Sequence, residues 1–273
     1  LTVVTENGEI VILARKTGEQ LLATPFELPG LTTGDTVQGM PPNWMLRRGD
    51  EIARQRFGEM PTNNGNGLLT SMLRVVFGAG SEVSNFYSVD VNTGRMFVAA
   101  TAPDKADGSK DGLSDNGAVY ALDLASIGDQ LLLNISARYD FNGGTGSTPS
   151  ATNDGQRIYV TDSNGNVIAL DRDLQEIWRI NVGSQVAASV AVSADNAELY
   201  LVTRADILKL WDRGDHAERA WTAQLDVFPD HINVNTLTPT ITANGIAVAI
   251  GASRELGDTS LLMENGFGLL DRE

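Results

Sequence analysis

The sequence predicts an all-β fold, a β-propeller of four-stranded antiparallel blades. Three observations predict it: a compact pair of hairpin signals at 147–178, copies of that unit on both sides, and the spacing between the copies. In STPSATNDGQRIYVTDSNGNVIALDRDLQEIW, Thr148-Pro149 opens the unit and Asp154-Gly155 is a tight-turn signal. Ile158-Tyr159-Val160 is a short β-prone run, Asn164-Gly165 is a second turn, and Val167-Ile168-Ala169-Leu170 ends at Asp171. Trp178 follows seven residues later. A unit this short cannot bury its own faces, so neighbours of the same kind are expected.

Those neighbours are present. Asn196 stands where Gly155 does, followed by Leu199-Tyr200-Leu201, and Asp206 leads into Ile207-Leu208-Lys209-Leu210-Trp211-Asp212. Upstream, Thr93-Gly94 precedes Phe97-Val98-Ala99, and Asn116-Gly117 precedes Val119-Tyr120-Ala121-Leu122-Asp123. Downstream, Thr238-Pro239 and Asn244-Gly245 lead to Val248-Ala249-Ile250, with Phe267-Gly268-Leu269-Leu270-Asp271 as its partner strand. At the start, Leu1–Val4, Asn7-Gly8, Ile10–Leu13 and Lys16-Thr17-Gly18 match the second half of the unit. From Gly94 the first-turn positions recur at 61, 41 and 49 residues. A propeller blade takes about 40–50 residues. The chain therefore touches about five blades, with a larger ring expected. Because alternate residues of a strand share a face, Ile158, Val160, Val167 and Ala169 are expected to face inter-blade cores.

Ala169-Leu170-Asp171 with Trp178, and Ala121-Leu122-Asp123, resemble the quinoprotein-type (PQQ-like) propeller repeat, Ala-x-Asp-x-x-Thr-Gly-x-x-x-Trp. Lys16-Thr17-Gly18 supplies the Thr-Gly piece, and no single copy carries Asp, Thr-Gly and Trp together. The resemblance covers about 1–20 and 84–273. It implies fold more than activity, since the repeat serves both dehydrogenases and non-catalytic proteins. It also implies a periplasmic or extracellular location and a repeat Trp packed between blades, the role expected of Trp178 and Trp221. The Trp211-Asp212 dipeptide is set aside as a WD-type signature: no Gly-His accompanies it and no other unit repeats it.

Composition bounds the reading. With 273 residues the chain is long enough for one large β domain, 1–273, with a sizeable core. It is 42% hydrophobic, has a mean hydropathy of −0.11 and has no apolar run of transmembrane length. There is no cysteine, which removes disulfides, thiolate metal sites and cysteine nucleophiles. A net charge of −15 repels phosphate backbones and anionic lipid, so nucleic acid is not an expected partner. Leu1 falls directly on a strand, and a turn and outer strand are expected after Glu273, so both termini read as truncated. A small closed ring with irregular end blades is the alternative.

Residues 21–83 break the repeat, either as an insertion or as a degenerate blade carrying a helix. They hold Pro25, Pro29, Pro41-Pro42, Pro61 and an Asn/Gly loop at 62–67. Asn43–Phe57 reads as one short helix capped by Asn43, and Ser71–Phe77 as a strand or short helix. Two longer connections, Ala102–Asn116 and Ala252–Met263, fall at the same place in their units and read as loops on one face of the ring.

Candidate sites follow from these departures. Trp44, Arg47, Arg48, Arg54 and Arg56 cluster in the 21–83 block of an otherwise acidic chain, a composition suited to partner contact. The competing reading pairs the arginines with Asp50, Glu51 and Glu59 on a solvated helix. Asp104, Asp107, Asp111 and Asp115 are closely spaced with glycines, a composition that suits calcium, but the spacing is not the EF-hand pattern, and Lys105, Lys110 and the missing bidentate Glu favour a solvated loop. His216 and His231 lack zinc spacing, and no Gly-x-Ser-x-Gly elbow, Walker loop or dinucleotide fingerprint occurs. The resulting expectation is a non-catalytic propeller that presents loops to a protein or carbohydrate partner. The alternative is a PQQ- and calcium-dependent dehydrogenase. The absent cysteine pair and the lack of transferable calcium ligands weigh against bound PQQ.

Overall fold

The computed structural model describes residues 1–5, 8–29, 83, 86–102, 116–128, 130–142, 147–162, 164–184, 186, 188–225, 227–228, 230–233, 235, 237–256 and 260–272. The expected helix over 43–57 and the segment 71–77 lie outside them. The fold is all-β, and the sheets are those of a β-propeller. Among the described residues there are five antiparallel sheets, and each strand of the expected repeat is found in place. The chain divides into two compact units, Leu1–Gly146 and Ser147–Glu273.

In the first unit, β1 (Thr2–Val4), β2 (Glu9–Ile12) and β3 (Phe26–Glu27) form a three-stranded sheet. Gly18, at φ +72, closes the turn after β2 by donating its N–H to the Ala14 carbonyl at 2.8 Å. A second sheet takes β4 (Ser88–Val89), β5 (Met96–Thr101), β6 (Asn116–Ile127) and β7 (Gln130–Asn142) in that order. Ile10, Val98, Tyr120 and Leu122 share one core with Leu22 and Leu133. β6 does not stop at Asp123: its ladder with β7 runs on to Ile127↔Gln130. Gly94, at φ +75, makes the tight turn into β5 that a side chain would strain.

The second unit holds three sheets, one after another along the chain. The first is β8 (Ser150–Ala151), β9 (Arg157–Thr161), β10 (Asn166–Asp171) and β11 (Glu176–Asn181). The second is β12 (Ala191–Val192), β13 (Glu198–Val202), β14 (Asp206–Asp212) and β15 (Ala217–Gln224). Both are simple four-stranded meanders. The third combines β16 (Ile232–Asn233), β17 (Thr240–Thr242), β18 (Gly245–Leu256) and β19 (Ser260–Leu270) in a different order. There β16 and β17 pair with the far and near halves of β18, and β19 pairs with β18 along its length.

This third sheet corrects one expectation. Ala252–Met263 is not a loop over most of its length. The ladder continues through Ala252↔Glu264 to Leu256↔Ser260. The Leu261-Leu262-Met263 run lies opposite Ser253–Glu255 and carries the hairpin past the point where the shorter units turn. The other expected loop, 102–116, has 103–115 outside the described residues.

Alternation decides what packs on what. Leu199, Leu201, Leu208 and Leu210 point one way and meet Tyr159, Val167 and Ala169 of the β8–β11 blade. Tyr200, Val202 and Ile207 point the other way and meet Ile246, Val248 and Ile250 of the β16–β19 blade. Ile158 and Val160 are buried on the opposite side of β9 from Tyr159. Each central strand is thus apolar on both faces, which is why its sequence reads as a continuous run rather than an alternation.

Candidate functional site

The five residues expected to contact a partner, Trp44, Arg47, Arg48, Arg54 and Arg56, and the four expected calcium ligands, Asp104, Asp107, Asp111 and Asp115, lie outside the described residues. Among the described residues the structure instead shows two polar seams between blades and one blade face with exposed apolar side chains.

Register aligns the three blades of the second unit. Ser150 pairs with Tyr159, Ala191 with Tyr200, and Thr240 with Ala247. On the next strand, Tyr159 pairs with Ala169, Tyr200 with Lys209, and Ala247 with Leu269. One step further along, Arg157, Glu198 and Gly245 are equivalent, and so are Asp212 and Arg272 at the ends of the third strands.

The first seam centres on Asp212, whose side chain is only 4% exposed. It accepts hydrogen bonds from the Arg157 guanidinium, from the Tyr159 hydroxyl at 2.6 Å and from Trp178 Nε1 at 3.2 Å, all of the preceding blade. The Gly214 N–H donates to it at 2.8 Å. Burial pushes the Asp212 carboxyl up, but these donors outweigh it and hold the group below the usual carboxylate range. The same burial, reinforced by the bond to Asp212, pushes the Tyr159 hydroxyl well up, so it stays a donor. Trp178 packs against Tyr159 with ring centroids 5.9 Å apart.

The second seam has its charges exchanged. Glu198 of the β12–β15 blade now supplies the carboxylate, and Arg272, following β19, supplies the cation at 2.5 Å. Lys209 Nζ lies 2.9 Å from Glu198 and donates to the Arg272 carbonyl at 2.7 Å. The Tyr200 hydroxyl donates to Glu198 at 2.8 Å. Burial raises the Glu198 carboxyl, while bonds from Arg272, Lys209 and Tyr200 bring it below its ordinary value. The exchange leaves one group stranded. Trp221 occupies the place of Trp178 and packs on Tyr200 at 6.0 Å, yet its buried Nε1 has no acceptor among the described residues. The slot that holds an acceptor in the first seam holds a donor, Arg272, in the second.

Hydroxyls stitch the same blades near their inner strands. The Thr148 N–H donates to Ser189 Oγ at 2.8 Å, and the Ser189 N–H donates to Thr238 Oγ1 at 3.0 Å. Each of these residues immediately precedes an inner strand, so the small polar residues that open the repeat link one unit to the next. His216 is exposed beside Asp215, and buried His231 has Nε2 2.9 Å from Glu264 Oε2.

The β16–β19 blade ends differently. Its forward face, equivalent to the Tyr159 and Tyr200 faces, consists of Ala247, Ala249, Phe267 and Leu269. Phe267 is 90% and Leu269 63% exposed, while the matching Ile207 and Lys209 are 0% and 5% exposed. No described strand pairs with the outer edge of β19, the place β11 and β15 take in the other two blades. This face carries neither the tyrosine nor the charged residue of the seams.

The two seam carboxylates are not arranged as a calcium site. A calcium site gathers six to eight oxygens with surplus negative charge. Here Asp212 and Glu198 are each paired with an arginine, and among the described residues no three His, Cys, Asp or Glu side chains gather as metal ligands would.

No family model matches the chain, and no curated protein does. Among solved structures, a putative 6-phosphogluconolactonase from Bacteroides fragilis superposes with a TM-score of 0.52 at 13% identity, covering 99% of this chain and 68% of that one. At that identity the likeness is one of fold alone. The Swd1 β-propeller domain from Myceliophteria thermophila gives 0.43 at 9% identity, over 61% of this chain and 50% of that one. BamB from Moraxella catarrhalis gives 0.32 at 14%, over 48% and 56%. The chain spans about half the length of the latter two. Among the described residues, no helix is long and apolar enough to cross a membrane.

Proposed function

We propose that the chain is a non-catalytic binding or scaffold module of the PQQ-like propeller type, acting in the periplasm or outside the cell on a protein or carbohydrate partner. The observation that carries this reading is the use of the buried ionic groups. Asp212 and Glu198 are each held by several donors, of which Arg157, Tyr159 and Trp178 on Asp212 and Arg272 on Glu198 join one blade to the next. A general base needs a lone pair within reach of substrate. These two direct theirs into seams between blades. What departs from the repeat remains for recognition: the 21–83 block with Trp44, Arg47 and Arg48, and the connections around 102–116. On a chain of net charge −15, an arginine cluster attracts an acidic partner and is screened by salt.

The test replaces Trp44, Arg47 and Arg48 with Ala and follows melting temperature and quantitative capture of partners from the source organism. Partners lost at unchanged melting temperature, with wild-type capture falling as salt rises, support a binding surface. A lowered melting temperature with unchanged partners assigns the block a capping role instead. A stoichiometric quinone absorbance in the protein as isolated overturns the non-catalytic reading.

A further inference from the structure

We propose that the reversal of sign between the two seams is a recognition code for blade order. Each forward face accepts the back face of its own next neighbour and repels the other back face. The code concerns assembly of the chain and is independent of the binding-module reading.

The apolar side chains do not distinguish one neighbour from another. The forward faces of the β8–β11 and β12–β15 blades present a tyrosine at one register position, Tyr159 and Tyr200, each with a tryptophan packed on it. The back faces that meet them are aliphatic: Leu199, Leu201, Leu208 and Leu210 in one case, Ile246, Val248 and Ile250 in the other. Aliphatic surfaces of similar volume exchange readily, and a core loses uniqueness before it loses stability. The chain connections do not enforce order either. Looping out the middle blade adds about 40 residues to a connection, and closure entropy grows only with the logarithm of that length. Neighbour exchange and swapping are characteristic failures of repeat proteins.

The charged side chains do distinguish. The native seams pair Arg157 with Asp212 and Glu198 with Arg272. Exchanging neighbours gives two other combinations. The β8–β11 blade set directly on the β16–β19 blade opposes Arg157 to Arg272. It also aims the Tyr159 hydroxyl and the Trp178 indole N–H, which donate to Asp212 in the native seam, at a guanidinium that accepts nothing. The β12–β15 blade set on a second copy of itself opposes Glu198 to Asp212. Both combinations bring like charges together where the Asp212 and Glu198 side chains are only 4% and 11% exposed. A buried charge without its partner is strongly unfavourable, and specificity comes from such penalties as much as from matched contacts. Had both seams carried Arg157 and Asp212 equivalents, every forward face would fit every back face.

Lys209 extends the code. It stands in the place of Ala169, with Nζ 2.9 Å from Glu198, and donates to the Arg272 carbonyl at 2.7 Å. The middle blade thus presents a carboxylate with its own cation beside it, a set the first blade lacks.

The test makes the two seams alike and then restores their difference, using the full chain. One variant, Arg157→Glu with Asp212→Arg, gives both seams a carboxylate in front and an arginine behind. A second, Glu198→Arg with Lys209→Ala and Arg272→Asp, copies the first seam into the second. A third combines all five substitutions, so that both pairs are reversed and the seams again differ in sign. The readout is the fraction recovered as monomer by size exclusion after refolding from urea, at several chain concentrations. Each of the first two variants is expected to recover at least threefold less monomer than wild type, with folded oligomers in its place as concentration rises. The combined variant is expected to recover more monomer than either, although it carries the most substitutions. Ion pairs that only stabilise predict the opposite ranking, because the combined variant disturbs both seams. Three outcomes overturn the proposal: the first two variants refold like wild type; the combined variant recovers no more monomer than the poorer of them; or no variant yields folded chain.

Discussion

The β12–β15 and β16–β19 blades share a register yet differ on their forward faces. In the first, Tyr200, Ile207 and Lys209 are buried beneath the next blade, and Glu198 anchors two cations. In the second, the equivalent Ala247, Phe267 and Leu269 carry no anchor, and the two large side chains stand in solvent. The register of the central strands is the same, and the side chains they present differ. The buried face combines aliphatic residues with a tyrosine and a charge, and the exposed face carries aliphatic and aromatic residues alone.

The comparison breaks most visibly at Asp212. Asp212→Ala leaves the Arg157 guanidinium, Tyr159 hydroxyl and Trp178 indole without their common acceptor. Removing one partner of a buried ion pair costs about 3–5 kcal/mol, read as a lowered urea midpoint. Next come the matched truncations. Ile207→Ala is expected to cost about 2–4 kcal/mol through lost burial and a cavity. Leu269→Ala, at the open face, is expected to stay within about 0.5 kcal/mol. Equal losses in these two variants would mean that the forward face of β19 is covered.

The two seams differ more finely. Trp178→Phe removes a hydrogen bond to Asp212 and is expected to cost about 1 kcal/mol beyond the change in ring size. Trp221→Phe removes a buried N–H that has no described acceptor, so its cost is expected to be smaller by about that amount. A cost for Trp221→Phe as large as that for Trp178→Phe would contradict the exchanged-charge account of the second seam.

Acid sensitivity follows from the same carboxylates. Asp212 and Glu198 titrate lower in the folded chain than in the unfolded one. Their contribution is therefore complete above the ordinary carboxylate range, about pH 4, and is lost as pH falls through their lowered folded values. Asp212→Asn is expected to flatten the acid limb of a stability-against-pH curve and to leave neutral pH less stable than wild type. An unchanged acid limb would remove Asp212 from that role.

The fold was legible because its information is local. Turn dipeptides and short β-prone runs mark each hairpin, and their spacing marks each blade. Asp212 was legible only as a repeat position. Its side-chain donors lie 34–55 residues away on β9 and β11 of the preceding blade, and no local pattern links them. The recurrence of Tyr159 and Tyr200 at one register position was the available signal. The exchange of Arg157 and Asp212 for Glu198 and Arg272 hid the second seam, because a pair that swaps sign is not a repeat in sequence. The long β18–β19 hairpin was misread as a loop for a related reason: the shorter blades set a template for where strands end, and Leu261–Met263 extends past it. Trp44, the arginine cluster and the acidic loop were singled out because they depart from the repeat, and they lie outside the described residues.

The contrast between a closed and an open blade face is tested most directly by residue-resolved hydrogen exchange on the unmodified protein, comparing β14 with β19. Both are third strands of their blades, and among the described residues β14 is paired on both edges and β19 on one. The account predicts that β14 amides exchange only through global unfolding, whereas alternate β19 amides, those facing its outer edge, exchange through local opening at much lower free energy. Uniform protection along β19, matching that of β14, would contradict it.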